Sequence, residues 1–242
     1  MIKKIILILF IICSACQTTK IKNDTYKIAT SLPELGSIGQ SRKNNKQENS
    51  FAVRTLPKLE NKIRITIGIV PFNRKINKVY KSKARYNQNQ TKVVYIDSLP
   101  KKPELVTLKI LDINGLVGEL NAPYNTDVLR LLRDTENSEI ITSIAVSLST
   151  DEITRIRQAD AYYLINSQEK KYTIALYKTG KKTDIIDVST ESIVGYQSSK
   201  FCWASNQKRQ WYIADITEGK NSCKGNTKSV PEEKKNKNLY DM

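Results

Sequence analysis

The 242 residues contain no histidine, so chemistry in this chain falls to carboxylates, lysines and cysteines. Histidine is the usual general base near neutral pH and the commonest metal ligand. Its absence excludes Ser-His-Asp and Cys-His hydrolase arrangements and every His-based zinc site. Carboxylate pairs, lysine bases and oxygen-rich calcium sites remain. The close acidic pairs are Asp134/Glu136, Asp151/Glu152, Asp184/Asp187 and Glu232/Glu233. Glycoside hydrolysis needs two carboxylates about 5–10 Å apart in a cleft. Each of these pairs reads better as a cap, a turn or a solvated tail. The sequence also lacks a Gly-rich phosphate loop, a nucleophile elbow and a calcium-loop pattern. The expectation is therefore a protein with no catalytic residues, no metal and no cofactor.

Two other groups could bind rather than react. Arg74, Lys75, Lys78, Lys81, Lys83 and Arg85 place six basic side chains in twelve residues, with Tyr80 among them and Tyr86 just after. The tract falls between two expected strands and reads as a long loop or hairpin tip. It is either a solvated loop of a lysine-rich protein or an anion-binding, membrane-facing one. Each basic residue near an anionic lipid surface contributes about 1 kcal/mol. The densest aromatic group is Phe201, Trp203, Trp211 and Tyr212. It reads first as a core beneath a terminal hairpin, and otherwise as a platform for a sugar or a protein partner.

Of four cysteines, Cys13 and Cys16 close the N-terminal apolar run, which leaves Cys202 and Cys223. An even pair in an exported chain points to a disulfide, worth about 3 kcal/mol for a loop of this size. Two free thiols are the alternative.

The N-terminus supplies the export signal. Lys3 and Lys4 precede an apolar run from Ile5 to Ile12, then Cys13-Ser14-Ala15-Cys16. That run is far shorter than the roughly 20 residues a membrane-spanning helix needs. Its end resembles the lipobox of bacterial lipoproteins, with Cys13 standing where Leu, Val or Ile is usual. The resemblance implies cleavage after Ala15 and lipid on Cys16. Buried acyl methylenes add about 0.8 kcal/mol each, so several chains give a lasting anchor. Gln17 is not the aspartate that retains lipoproteins in the inner membrane of enteric bacteria, and no acidic export signal follows. The resemblance thus implies an outer-membrane lipoprotein facing the periplasm.

Residues 1–15 carry Lys3 and Lys4 and no acid, so cleavage lowers the net charge of +16 by two, to +14. Such a charge permits association with anionic lipid, lipopolysaccharide or acidic glycan. Export makes nucleic acid an unsuitable partner. After the 1–15 signal, residues 16–60 read as a tether, with single apolar residues and no sustained period. As a flexible coil it would span roughly 35–40 Å. A short strand near residues 51–56 is the one element expected within it.

The folded part opens at Lys62, where four isoleucines alternate with polar residues through Val70, the period of a half-buried strand. Further strands are expected over 92–97 and 105–113, with Asn114-Gly115 turning a hairpin back through 116–120. A helix over 127–134 and a strand over 140–148 follow. Ser149 and Glu152 match a capping box for a helix over 151–158. Runs at 161–165, 171–178, 183–188, 192–197, 201–204 and 210–216 suggest a meander. The expected fold is mainly β, a sandwich or partly open barrel with one or two short helices, α+β being the alternative. Its parts are a 61–148 lobe, a 149–223 lobe and a disordered 224–242 tail. The expected role is a non-catalytic structural or interaction component of the envelope, with an anionic-ligand module as the alternative.

Overall fold

The computed structural model describes residues 18–22, 24–28, 33–44, 47–84, 93–168, 171–219 and 221–231. The signal, Cys13, Cys16 and Arg85 lie outside them, as do Glu232 and Glu233. Among the described residues the fold is mainly β: twelve strands in one antiparallel sheet that does not close, accompanied by four short α-helices.

Two long strands form the spine. Ser138–Val146 (β7) and Ile193–Ser205 (β11) pair from Val146↔Ile193 to Glu139↔Lys200. Each is long enough to take two partners in succession on its other side. β7 accepts Glu104–Ile110 (β6) along Ser143–Val146 and Ile38–Asn44 (β3) along Ser138–Ile140. β11 accepts Asp24–Ile28 (β2) at Gly195 and Tyr196, and Trp211–Glu218 (β12) along Ser199–Ser205. The sheet therefore branches at both strands. Beyond β6 it continues through Ile63–Pro71 (β5), Ala161–Gln168 (β8), Lys171–Lys178 (β9) and Lys181–Ile186 (β10). Thr18–Ile21 (β1) pairs with β2, and Gln47–Thr55 (β4) with β3.

Burial falls on both faces of the spine. Val106, Ile144 and Val146 join a large core with Ile63, Ile65, Leu116, Leu120, Phe201 and Trp203. Leu105, Ala145 and Val194 face the other way, into a smaller core with Ile21, Tyr26, Phe72, Ile76 and Tyr80. A sheet covered on both faces reads as apolar runs instead of alternation. Fully burying each such Leu, Ile or Phe contributes about 1.5–3 kcal/mol.

The helices are Arg74–Ala84 (α1), Ile113–Asn121 (α2), Thr126–Asp134 (α3) and Thr150–Gln158 (α4). α4 starts at the capping box expected of Ser149 and Glu152, and both hydrogen bonds of the box form. α2 replaces the expected Asn114-Gly115 hairpin. The Asp112 carboxylate accepts the Gly115 N–H at 2.8 Å and caps the helix, while Leu116 and Leu120 bury one face. The local turn signal loses to an apolar stripe at i, i+3, i+4 and i+7 over Ile113, Leu116, Val117 and Leu120.

Four further expectations are corrected. The described residues 18–22, 24–28, 33–44 and 47–55 are not a tether: they supply β1–β4, with Ile21, Tyr26, Leu35, Ile38 and Phe51 all buried. Gly39 has no room for a side chain, because an added Cβ would stand 2.1 Å from the Ala52 carbonyl oxygen of β4. The two lobes merge, since β7 of the first pairs along its length with β11 of the second. The strand expected at 92–97 has no ladder partner; Lys92 lies outside the described residues, and residues 93–96 run without strand pairing. Of the tail, Lys228 bridges back to Trp203 through two backbone hydrogen bonds of 2.8 Å.

Candidate functional site

The basic tract does not form a loop. Pro71 ends β5, Phe72 is buried, and Asn73 caps α1 by accepting the Ile76 N–H at 2.9 Å. Phe72, Ile76 and Tyr80, at intervals of four, then bury one face of the helix. Phe72 and Tyr80 meet edge to ring at 5.7 Å. That burial turns Arg74, Lys75, Lys78 and Lys81 outward, and all four are exposed. Arg74, Lys78 and Lys81 fall at i, i+4 and i+7 and share a stripe. Lys83 lies in the last turn of the same helix, which ends at Ala84, and Arg85 falls outside the described residues.

The segment after the helix lies back along it. The Val93 N–H donates to the Tyr80 hydroxyl at 3.2 Å, and Val93 and Tyr95 pack on the smaller core. The Arg74 guanidinium holds Asp97 at 2.8 and 2.9 Å, and Lys102 stands 3.6 Å from the same carboxylate. The Tyr95 hydroxyl also donates to Asp97. This hydroxyl, and then Arg74, hold the Asp97 carboxyl below its usual range. Because residues 93 and 95 face inward, Val94 and Ile96 face out, at 73% and 47% exposure; Leu99 is also 47% exposed. Lysines on a helix thus stand beside apolar side chains in water. Among the described residues Lys75, Lys78 and Lys81 make no ion pair.

The other sequence candidates scatter. Asp134 closes α3 and Glu136 follows, both exposed. Asp151 and Glu152 occupy the first turn of α4. Asp184 pairs with Arg155 at 2.7 Å and Asp187 with Lys171 at 2.5 Å. The Arg155 hydrogen bond holds Asp184 below the usual carboxylate range. The described members of these pairs thus serve as caps, termini or ion-pair partners. Phe201 and Trp203 lie in the large core, Trp211 packs on its edge, and Tyr212 faces out at β12. Cys202 and Cys223 form a disulfide, with S–S 1.99 Å. An open groove beside it is lined by Lys200, Thr217, Thr227 and Lys228.

Sequence reasoning missed Glu119. It is 4% exposed, yet its carboxylate accepts from the Glu60 N–H at 2.6 Å, the Asn61 N–H at 3.3 Å, Asn61 Nδ2 at 2.7 Å and the Tyr124 hydroxyl at 2.8 Å. Burial pushes its pKa up, but the donors outweigh burial and hold it below 4.5. Burial and the bond to Glu119 together push Tyr124 up to about 12. Asn125 fastens the same segment by bonding both the N–H and the carbonyl of Lys58. The signal was available: Glu119 lies between Leu116 and Leu120 on the buried stripe of α2.

No protein-family model, curated protein or solved structure matches the chain.

Proposed function

We propose that this protein is a lipid-anchored component of a bacterial cell envelope, acting by binding and assembly and not by catalysis. The observation that carries this reading is how its polar side chains are deployed. Glu119, Asp184, Asp187 and Glu152 are tied to donors that hold elements together, while Arg74, Lys75, Lys78 and Lys81 of α1 are presented outward. The export signal and the lipobox-like Cys13-Ser14-Ala15-Cys16 support the anchor, and Gln17 supports the outer membrane with a periplasmic orientation. The partners expected are other envelope proteins, with the membrane itself engaged through Cys16.

Affinity purification of the tagged, membrane-extracted native protein tests the reading, with Cys16→Ala alongside. Stoichiometric recovery of envelope proteins with the native form is the expected result. Recovery of the protein alone would overturn the assembly role. Identical fractionation of Cys16→Ala and the native form would overturn the anchor.

A second reading, a module for an anionic envelope ligand, is favoured by one specific observation, the exposed lysines of α1 beside Val94 and Ile96.

A further inference from the structure

We infer that α1 and the 93–102 segment form a second membrane contact, laid on an anionic phospholipid bilayer. This rests on the proposed anchor only for what brings the body to the membrane; the surface itself is read from the fold. Three observations converge on it.

The first is charge. Arg74, Lys75, Lys78 and Lys81 are exposed on a helix whose opposite face, Ile76 and Tyr80, is fixed in the smaller core. Lys101 is exposed and Lys102 half-buried in the adjoining segment. Asp97 is the acidic group placed among them, and it is engaged by Arg74 and Lys102. A cationic surface of this kind complements anionic headgroups.

The second is apolar exposure. Val94, Ile96 and Leu99 are among the most exposed large apolar residues described, and all three fall within six positions beside the lysines. A soluble acidic glycan would complement the lysines and leave these side chains in water. A bilayer accepts both, since headgroups meet the cations while apolar tips enter the acyl boundary.

The third is position. Ile21 of β1 packs in the same small core as Ile76 and Tyr80, so α1 lies across β1. β1 begins at Thr18. Only two residues of chain length separate it from Cys16, a reach of at most about 7 Å. The expected 35–40 Å of flexible span is therefore unavailable, and an acylated Cys16 would hold α1 close to the surface it complements.

A reporter at Ile96 tests the inference in the native acylated protein. With Cys16 acylated and Cys202–Cys223 bonded, Ile96→Cys supplies one free thiol for an environment-sensitive fluorophore. The labelled protein is reconstituted into vesicles of phosphatidylcholine alone or with phosphatidylglycerol. Flotation with the neutral vesicles reports the anchor by itself, so failure there concerns the proposed function and not this contact. Blue-shifted emission, quenched by lipid-borne quencher only in the anionic vesicles and reversed by high salt, is the expected result. In Lys75→Gln/Lys78→Gln/Lys81→Gln the ratio of docked to undocked protein is expected to fall by about a hundredfold. Two outcomes would overturn the inference. One is a reporter that stays in water on anionic vesicles. The other is equal emission on both vesicle types. A reporter left in water together with lysine-dependent retention on heparin would assign the face to acidic glycan instead.

Discussion

Two regions of this molecule use charged side chains in opposite directions. At Glu119 a carboxylate in the interior is met by four donors, and those donors belong to the segment entering β5 and to the turn after α2. On α1, Lys75, Lys78 and Lys81 stand in solvent, and Asp97 of the adjoining segment is engaged by Arg74 and Lys102. The interior node fixes chain to chain and can be removed only by leaving donors buried without acceptors. Apart from the Arg74–Asp97 pair, the cations of the helix face make no ion pair among the described residues. The contrast separates residues that hold the fold from residues available to a partner, and it gives each a different signature on mutation.

The largest expected effect is at the node. Glu119→Ala strands two backbone N–H groups, the Asn61 amide and the Tyr124 hydroxyl, and should lower stability in urea by about 3–5 kcal/mol. A loss under about 1 kcal/mol would show that water replaces the carboxylate and that the node is not structural. The node also sets the pH response. Glu119 has a folded pKa held below 4.5, so its contribution is present above that value and lost as pH falls through the folded pKa. Tyr124 is raised from 10.0 to about 12, so its contribution is present below 10 and lost as pH rises through that window. Unfolding free energy measured against pH should therefore fall at both ends, and Glu119→Gln should flatten the acid limb.

Next comes the disulfide. Cys202→Ala with Cys223→Ala should cost about 3 kcal/mol and free residues 221–231 for proteolysis. Intact protection of that segment would mean that the Trp203–Lys228 bridge suffices to hold it. Gly39→Ala then asks whether residues 33–55 belong to the body. With the Ala52 carbonyl oxygen 2.1 Å from the new Cβ, β3 and β4 must separate, at about 1–3 kcal/mol. A neutral result would restore the picture of a tether.

What was legible in the sequence follows from how far each signal reaches. The capping box of α4 is decided by Ser149 and Glu152, three residues apart, and it formed as expected. The strand at 63–71 declared itself through four alternating isoleucines. The disulfide followed from cysteine parity and the expectation of export. β1–β4 stayed hidden because each shows one buried large apolar residue, Ile21, Tyr26, Ile38 or Phe51, among polar neighbours, and the two local hairpins join the sheet only through β2 on β11 and β3 on β7, about a hundred positions or more away. The branching of the sheet is equally non-local. α1 was misread for a different reason. Its lysine content drew attention, whereas Phe72, Ile76 and Tyr80 at intervals of four already marked a helix with one buried face. Glu119 stayed hidden because residues 116–120 read as the return strand of an Asn114-Gly115 hairpin, which separates it from Leu116 and Leu120 on the helix stripe. Only the fold shows Asn61 and Tyr124 arriving to meet it.

The smallest expected effects on stability fall on α1, and they sharpen the comparison most. Asn73→Ala removes the cap of the helix and should cost about 1 kcal/mol, because the Ile76 N–H loses its acceptor. Lys75→Gln/Lys78→Gln/Lys81→Gln touches no ion pair among the described residues, so urea unfolding should shift by no more than about 0.5 kcal/mol. A small gain is as consistent as a small loss, since three like charges are removed from one helix face. The same substitution should lower salt-sensitive docking on anionic vesicles by about a hundredfold. If stability fell by several kcal/mol, the lysines would be holding the body together, and the division between an inward-facing node and an outward-facing helix would collapse. Unchanged stability with unchanged docking would leave that division standing and move the membrane contact to another face.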